Sequence, residues 1–165
     1  MTLRSASGPL GPGGYPLGSG PLVRAYQNAV IDNVTGNGTY YTVAFNTEVL
    51  DRTGNYNPAT GLFTAPFAGA YQFSGAVAFQ ELGSASRVEL LLLATSQNLY
   101  MRYATPGAIS GFAVYGFSET IFLAANDTCG VQVAAFGLGG NTADIYGTAT
   151  STRWSYLVVN PVNQT

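Results

Sequence analysis

Eight carboxylates, six arginines and one thiol are the groups in this 165-residue chain with which acid–base, nucleophilic or metal chemistry could be done. Histidine and lysine are absent. Without histidine there is no Ser-His-Asp triad, no Cys-His dyad and no imidazole metal site. Without lysine there is no Schiff base and no Ser-Lys pair. Gly116-Phe117-Ser118-Glu119-Thr120 begins like a nucleophile elbow, but it ends on threonine and lies inside a predicted strand. Gly137-Leu138-Gly139-Gly140 lacks the lysine and the following helix of a phosphate loop. The carboxylates are Asp32, Glu48, Asp51, Glu81, Glu89, Glu119, Asp127 and Asp144. None sits in an acidic motif, and each reads as a turn or exposed strand residue rather than half of a glycosidase pair. Calcium needs several oxygen ligands, and the one local acidic loop, Asn126-Asp127-Thr128, offers few. The expectation is no catalysis, no metal and no cofactor.

The remaining polar groups are read the same way. Cys129 lies in a predicted strand beside Val131 and Val133, so it is expected as a small buried side chain. A single cysteine cannot close an internal disulfide. Asn33, Asn37, Asn126 and Asn163 open Asn-x-Thr sequons, expected by chance in a chain this rich in Asn and Thr. Tyr40, Tyr41, Tyr100, Tyr103, Tyr115 and Tyr146 could line a sugar site. The preferred reading is that alternating Tyr and Phe fill a core and a subunit interface, where tyrosine offers area plus a hydroxyl.

Charge narrows the partners. The six arginines are scattered along the sequence and the net charge is −2, which excludes a nucleic-acid surface built on a basic cluster. The longest apolar run, Val88 to Ala94, is strand-length and too short to span a bilayer. No apolar signal core follows Arg4, so synthesis in a cytoplasm is expected. Only 8% of residues are charged, against about a quarter in ordinary domains. A surface so poor in charge is expected to be buried in an oligomer or a larger assembly.

The elements that must position these residues are strands. Residues 1–21 form a Gly/Pro-rich arm holding four of the eight prolines. Such a stretch holds neither a helix nor an internal strand. Gly8, Gly11 and Gly14 fall at the collagen period, but Leu17 breaks the register, so an extended polyproline-like arm is expected. Residues 22–165 form one domain. Strands are predicted over 22–32, 40–45, 48–51, 62–64, 70–80, 87–94, 98–103, 112–124, 128–136, 144–149 and 153–159, with Pro161 stopping the last. Turn residues separate them and no helical stripe intervenes, which means an all-β sandwich.

The most informative stretch runs from Asn55 to Phe79. A turn cluster, Asn55 to Gly61, precedes the short strand Leu62-Phe63-Thr64 and a second turn at Ala65 to Gly69. Tyr71, Phe73, Val77 and Phe79 then alternate with Gln72, Ser74, Ala76 and Ala78, the period of a strand with one buried face.

The residues Thr60, Gly61, Phe63, Thr64, Pro66, Gly69, Tyr71 and Phe73 resemble the signature of complement-type globular heads, which are tumour-necrosis-factor-like jelly rolls. Val43 to Asn46, Ala125 to Asp127 and Ser151 to Leu157 resemble flanking parts of that family, with Asn126 and Trp154 departing from its usual Gly and Phe. The resemblance implies a jelly-roll β-sandwich of about ten strands, packed as a homotrimer. Tyr71, Phe73, Phe112, Tyr115, Phe117 and Trp154 are expected in the core or at the trimer axis. A trimeric jelly roll with a Gly/Pro arm is similar to the decoration, or cement, proteins of tailed-phage capsids. That likeness implies a non-enzymatic structural protein on the virion capsid surface. Its partner would be the major capsid protein, with Leu3, Pro9, Leu10, Tyr15, Pro16 and Leu17 as anchors in an arm held by its neighbours. The alternative is a receptor- or glycan-binding head of a phage fibre or bacterial surface protein. It would bind through the loops 33–38, 82–86, 105–110 and 137–142.

Overall fold

Strict alternation sets the middle of the fold. In β7, Gly69–Gln80, the side chains of Tyr71, Phe73, Val77 and Phe79 enter the core, and Gln72 and Ser74 turn away. The computed structural model describes residues 21–104, 111–148 and 155–162. The expected arm anchors Leu3, Pro9, Leu10, Tyr15, Pro16 and Leu17, together with Trp154 and the loop 105–110, lie outside the described residues.

Among the described residues every regular element is a strand: β1 Val23–Tyr26, β2 Ile31–Thr35, β3 Tyr41–Thr42, β4 Thr47–Asp51, β5 Tyr56–Asn57 and β6 Leu62–Thr64 precede β7. After it come β8 Arg87–Ala94, β9 Asn98–Ala104, β10 Phe112–Leu123, β11 Thr128–Phe136, β12 Ala143–Tyr146 and β13 Tyr156–Pro161. They form two antiparallel sheets. In the first, β7 pairs along one edge with β10 over its whole length. Its other edge takes β12 and then β13, which continue to β2 and to β1-β4 respectively. The second sheet runs β5-β6-β11-β8-β9, with β3 also on β11. The strand ladders join elements far apart in sequence, as a jelly roll requires. The all-β jelly-roll sandwich is the expected fold class.

The core lies between the sheets. Phe63 of β6 packs against Tyr71 and Phe73, with ring centroids 5.4 and 5.8 Å apart. Val88, Leu90 and Leu92 of β8 and Val131 and Val133 of β11 close it from the second sheet. The Tyr71 hydroxyl reaches back along the chain and donates to the Phe67 carbonyl at 2.6 Å. This ties the turn before β7 to the strand.

The turn cluster before β6 works as its residue types demand. The Asn57 side chain accepts from Ala59 N–H at 2.9 Å, and its carbonyl accepts from Gly61 N–H at 2.8 Å. Gly61 holds φ 72°, and a Cβ there would come within 2.5 Å of the Val43 carbonyl oxygen. Both the dihedral and the space call for glycine.

Several strand limits differ from the sequence expectation. The predicted strand 22–32 is broken after Tyr26. Gln27 N–H turns to the Ser155 carbonyl and Asn28 N–H to the Asn46 side chain. The break moves the chain from its place beside β13 to a place beside β12. The expected breaker 33–38 is invaded by β2, which runs to Thr35 with Asn33 at φ 59°. Pro161 does not end β13 early. It stands opposite Tyr71, and Val162 N–H donates to the Ala70 carbonyl at 2.8 Å. A proline lacks only its own donor, so it sits in a ladder wherever that N–H is not required.

Candidate functional site: two opposed sheet faces

The sandwich has two outward faces, and they differ in chemistry. On the first sheet, Ala70, Gln72, Ser74, Ala76 and Ala78 of β7 stand opposite Phe122, Thr120, Ser118, Gly116 and Val114 of β10. Tyr156, Val158 and Asn160 of β13 continue the face on the other side of β7. Along β7, β10 and β13 this face carries no charged side chain. Phe112 is 42% exposed and Phe122 61% exposed, with Val114 and Tyr156 also exposed. The Phe112 ring stacks on Tyr146 of β12 at 5.2 Å and 2°. An aromatic-rimmed face of small and uncharged polar residues has the charge depletion and aromatic enrichment of an interface core.

The residues expected in the core or at an axis therefore separate. Tyr71, Phe73 and Phe117 are buried between the sheets. Tyr115 points inward near the open edge of the sandwich, with Phe79 at 5.9 Å and Tyr103 at 5.1 Å. Phe112 is on the outside. The Tyr103 hydroxyl donates to the Gly116 carbonyl at 2.6 Å and bridges the edge strands β9 and β10.

On the second sheet the outward face is charged. Glu89 of β8 is only 2% exposed, although it points away from the core. Arg87 Nε lies 2.9 Å and Arg102 Nε 2.8 Å from the same oxygen, Glu89 Oε1. The Tyr40 hydroxyl donates to Oε2. Burial alone would raise the Glu89 pKa, but the Tyr40 bond and the two arginines outweigh it and hold the carboxyl below its usual range. Burial, then the bond and charge of Glu89, push the Tyr40 hydroxyl up to about 12. Strand pairing makes the cluster: Glu89 stands opposite Arg102 in β9 and Ala134 in β11, while Leu91 stands opposite Tyr100. The Arg87 guanidinium lies 3.8 Å over the Phe136 ring. Gly38, at φ 94°, leaves room for that ring, since a Cβ there would come within 2.7 Å of it.

This corrects two expectations. Glu89 is not an exposed strand residue, and the arginines are not all scattered. Arg87 and Arg102 are 15 positions apart in sequence, and the β8–β9 ladder brings them onto one carboxylate. Spacing alone could have hinted at the Glu89–Arg102 pair, because an antiparallel hairpin places residues whose numbers share one sum opposite each other. The tyrosines do not form one site. Tyr40 and Tyr100 meet on the second sheet at 6.5 Å, Tyr103 and Tyr115 sit at the open edge, and Tyr146 belongs to the first sheet. Tyr41 packs on the core.

Other polar groups serve the turns. Asp127 accepts from Ala124 N–H at 2.9 Å beside Asn126 at φ 71°. Asp51 accepts from Tyr56 N–H at 2.9 Å, and Asp144 from Asn33 N–H at 2.7 Å. Among the described residues, no three His, Cys, Asp or Glu side chains converge as metal ligands. Cys129 is fully buried, and burial pushes its thiol up to about 12. The loops 33–38, 82–86 and 137–142 meet at one end. There Leu138 N–H donates to Gly36 and Ser86 N–H to Phe136.

Comparison with known proteins agrees with this architecture. Residues 25–134, from within β1 through most of β11, match the C1q domain. The fold is also similar to the globular domain of zebrafish complement 1qA protein, with a TM-score of 0.61 and 16% sequence identity. That likeness covers 88% of this chain and 99% of the zebrafish one. With its two-sheet jelly roll and the matched span, this chain belongs to the C1q domain family.

Proposed function

We propose that this protein is a non-enzymatic structural head that assembles as a homotrimer through the outward face of its first sheet. The observation that carries the reading is the uncharged face of β7, β10 and β13 with Phe122 and Phe112 exposed on it. C1q-type domains are generally non-enzymatic and often trimeric, which supports it. In its finer form the proposal puts the trimer on a virion capsid. Its arm anchors Leu3, Pro9, Leu10, Tyr15, Pro16 and Leu17 would hold the major capsid protein. A trimer that binds the assembled shell and not the free subunit stabilises that shell by mass action.

Native mass measurement tests the assembly. The expected species is about 52 kDa, three times the 17.2 kDa protomer. Val114→Asp places a charge on the exposed part of this face and should release folded monomer. In a protein that works as a monomer, this exposed substitution would change stability by less than about 0.5 kcal/mol and leave the mass as it was. A wild-type monomer, or a Val114→Asp trimer, refutes the assembly. For the finer reading, deletion of residues 2–20 should leave the trimer intact and abolish its sedimentation with capsids. Undiminished sedimentation of the truncated protein refutes the anchoring role of the arm, and failure of the full chain to sediment with capsids refutes the capsid role, in both cases without touching the assembly.

A further inference from the structure

We infer that the outward face of the second sheet carries a binding site for an acidic sugar, a saccharide bearing a carboxylate or sulfate group. The site is Arg102 and Arg87 with the Tyr100 ring beside them. It lies on the opposite side of the sandwich from the face assigned to assembly, so the two proposals stand or fall separately.

Charge is the first argument. Two guanidiniums share one carboxylate, so the cluster is left with one unit of positive charge. An added anion would complete it. Each arginine meets Glu89 through Nε, and each guanidinium carries further N–H donors besides that one. Guanidinium donors match the geometry of carboxylate and sulfate oxygens.

Preorganisation is the second. Glu89 is buried and gripped from its other oxygen by Tyr40. Arg87 is laid flat over Phe136. Arg102, whose side chain is 68% exposed, is the group presented to solvent. A ligand therefore meets donors whose rotamers are already set, and little ordering remains to be done on binding.

The rings are the third argument, and they select a sugar over a peptide. Tyr100 is 51% exposed and stands edge-on to Tyr40, with Arg102 5.9 Å from its ring centre. An exposed ring beside a guanidinium suits a ligand with an apolar C–H face and an acidic substituent, which is the chemistry of an acidic sugar. Peptides bind sheets along free edges or in grooves. Arg102 and Tyr100 stand on the edge strand β9, but their side chains project from the face of the sheet beside Glu89 and Tyr40 rather than along its backbone edge.

The test is binding of the full chain to an array of sialylated, uronate-containing and sulfated oligosaccharides printed beside neutral ones of the same backbone. Acidic members should be retained about tenfold better than neutral ones, and less so at high salt. Arg102→Gln and Tyr100→Ala should each lower that retention about tenfold. Because Arg102→Gln also removes one partner of the buried Glu89 carboxylate, retention is compared at a temperature where the thermal midpoint shows each variant folded. Arg102→Lys keeps the charge and should recover part of it. Retention of no acidic saccharide overturns the inference, as does retention that Arg102→Gln leaves intact. Capture of poly-glutamate without any saccharide would overturn it too, in favour of an acidic peptide.

Discussion

Phe63→Ala tests whether the motif strand β6 holds the two sheets together. Phe63 is fully buried and its ring touches Tyr71 and Phe73 of the opposite sheet at 5.4 and 5.8 Å. Removing it deletes a large apolar side chain and leaves a void between sheets whose strands are fixed by their ladders. Phe→Ala changes at such sites cost about 3–5 kcal/mol, and this well-tied site should fall near 4. Part of that, roughly 0.5–1.5 kcal/mol, is the ring pairing with Tyr71. The assay is urea unfolding at fixed protomer concentration, because any assembly makes the midpoint depend on concentration. With a slope of about 2 kcal/mol per molar, the midpoint should drop by about 2 M. A thermal scan should show a fall of roughly 8–16 °C. Phe63→Leu, which refills most of the volume, should lose less than half as much. A loss below about 1.5 kcal/mol for Phe63→Ala would refute the reasoning, for it would mean that the sheets close without this ring.

Three further outcomes follow from the same structure. Gly75→Ala should destabilise by about 3 kcal/mol or block folding, as a Cβ there would run into the Tyr156 carbonyl oxygen and lie 2.8 Å from Phe117; a wild-type unfolding midpoint would contradict this. Cys129 should resist thiol reagents in the native protein and react on unfolding, because it is fully buried with its pKa pushed up to about 12. The Glu89–Tyr40 bond should give a stability window in pH. The depressed Glu89 carboxyl contributes above its ordinary pKa of about 4.3, and that part is lost as pH falls through the lower folded value. The raised Tyr40 hydroxyl contributes below about pH 10, and that part is lost as pH rises through about 12. Glu89→Gln and Tyr40→Phe unfolding curves against pH check the two edges, and parallel curves for variant and wild type would contradict the coupling.

Much of this was legible in the chain, and for local reasons. The alternation in β7, the Asn57–Gly61 turn and the Phe63-to-Phe73 motif depend on residues close in sequence, so their types announce the strand, the turn and the family. The absence of histidine and lysine removed whole reaction classes at once. What stayed hidden was set by pairing between distant strands. That β10 would be an outer strand with one uncharged face uncovered depends on its ladder with β7. That Phe112 would turn outward while Phe117 turned in depends on the register of that ladder. Glu89 looked like an exposed strand residue because nothing beside it in sequence shows that β9 and Tyr40 will close over it. Period two says which residues share a face, but only the assembled sheets decide which face meets the core, which meets water, and which charges come together on it.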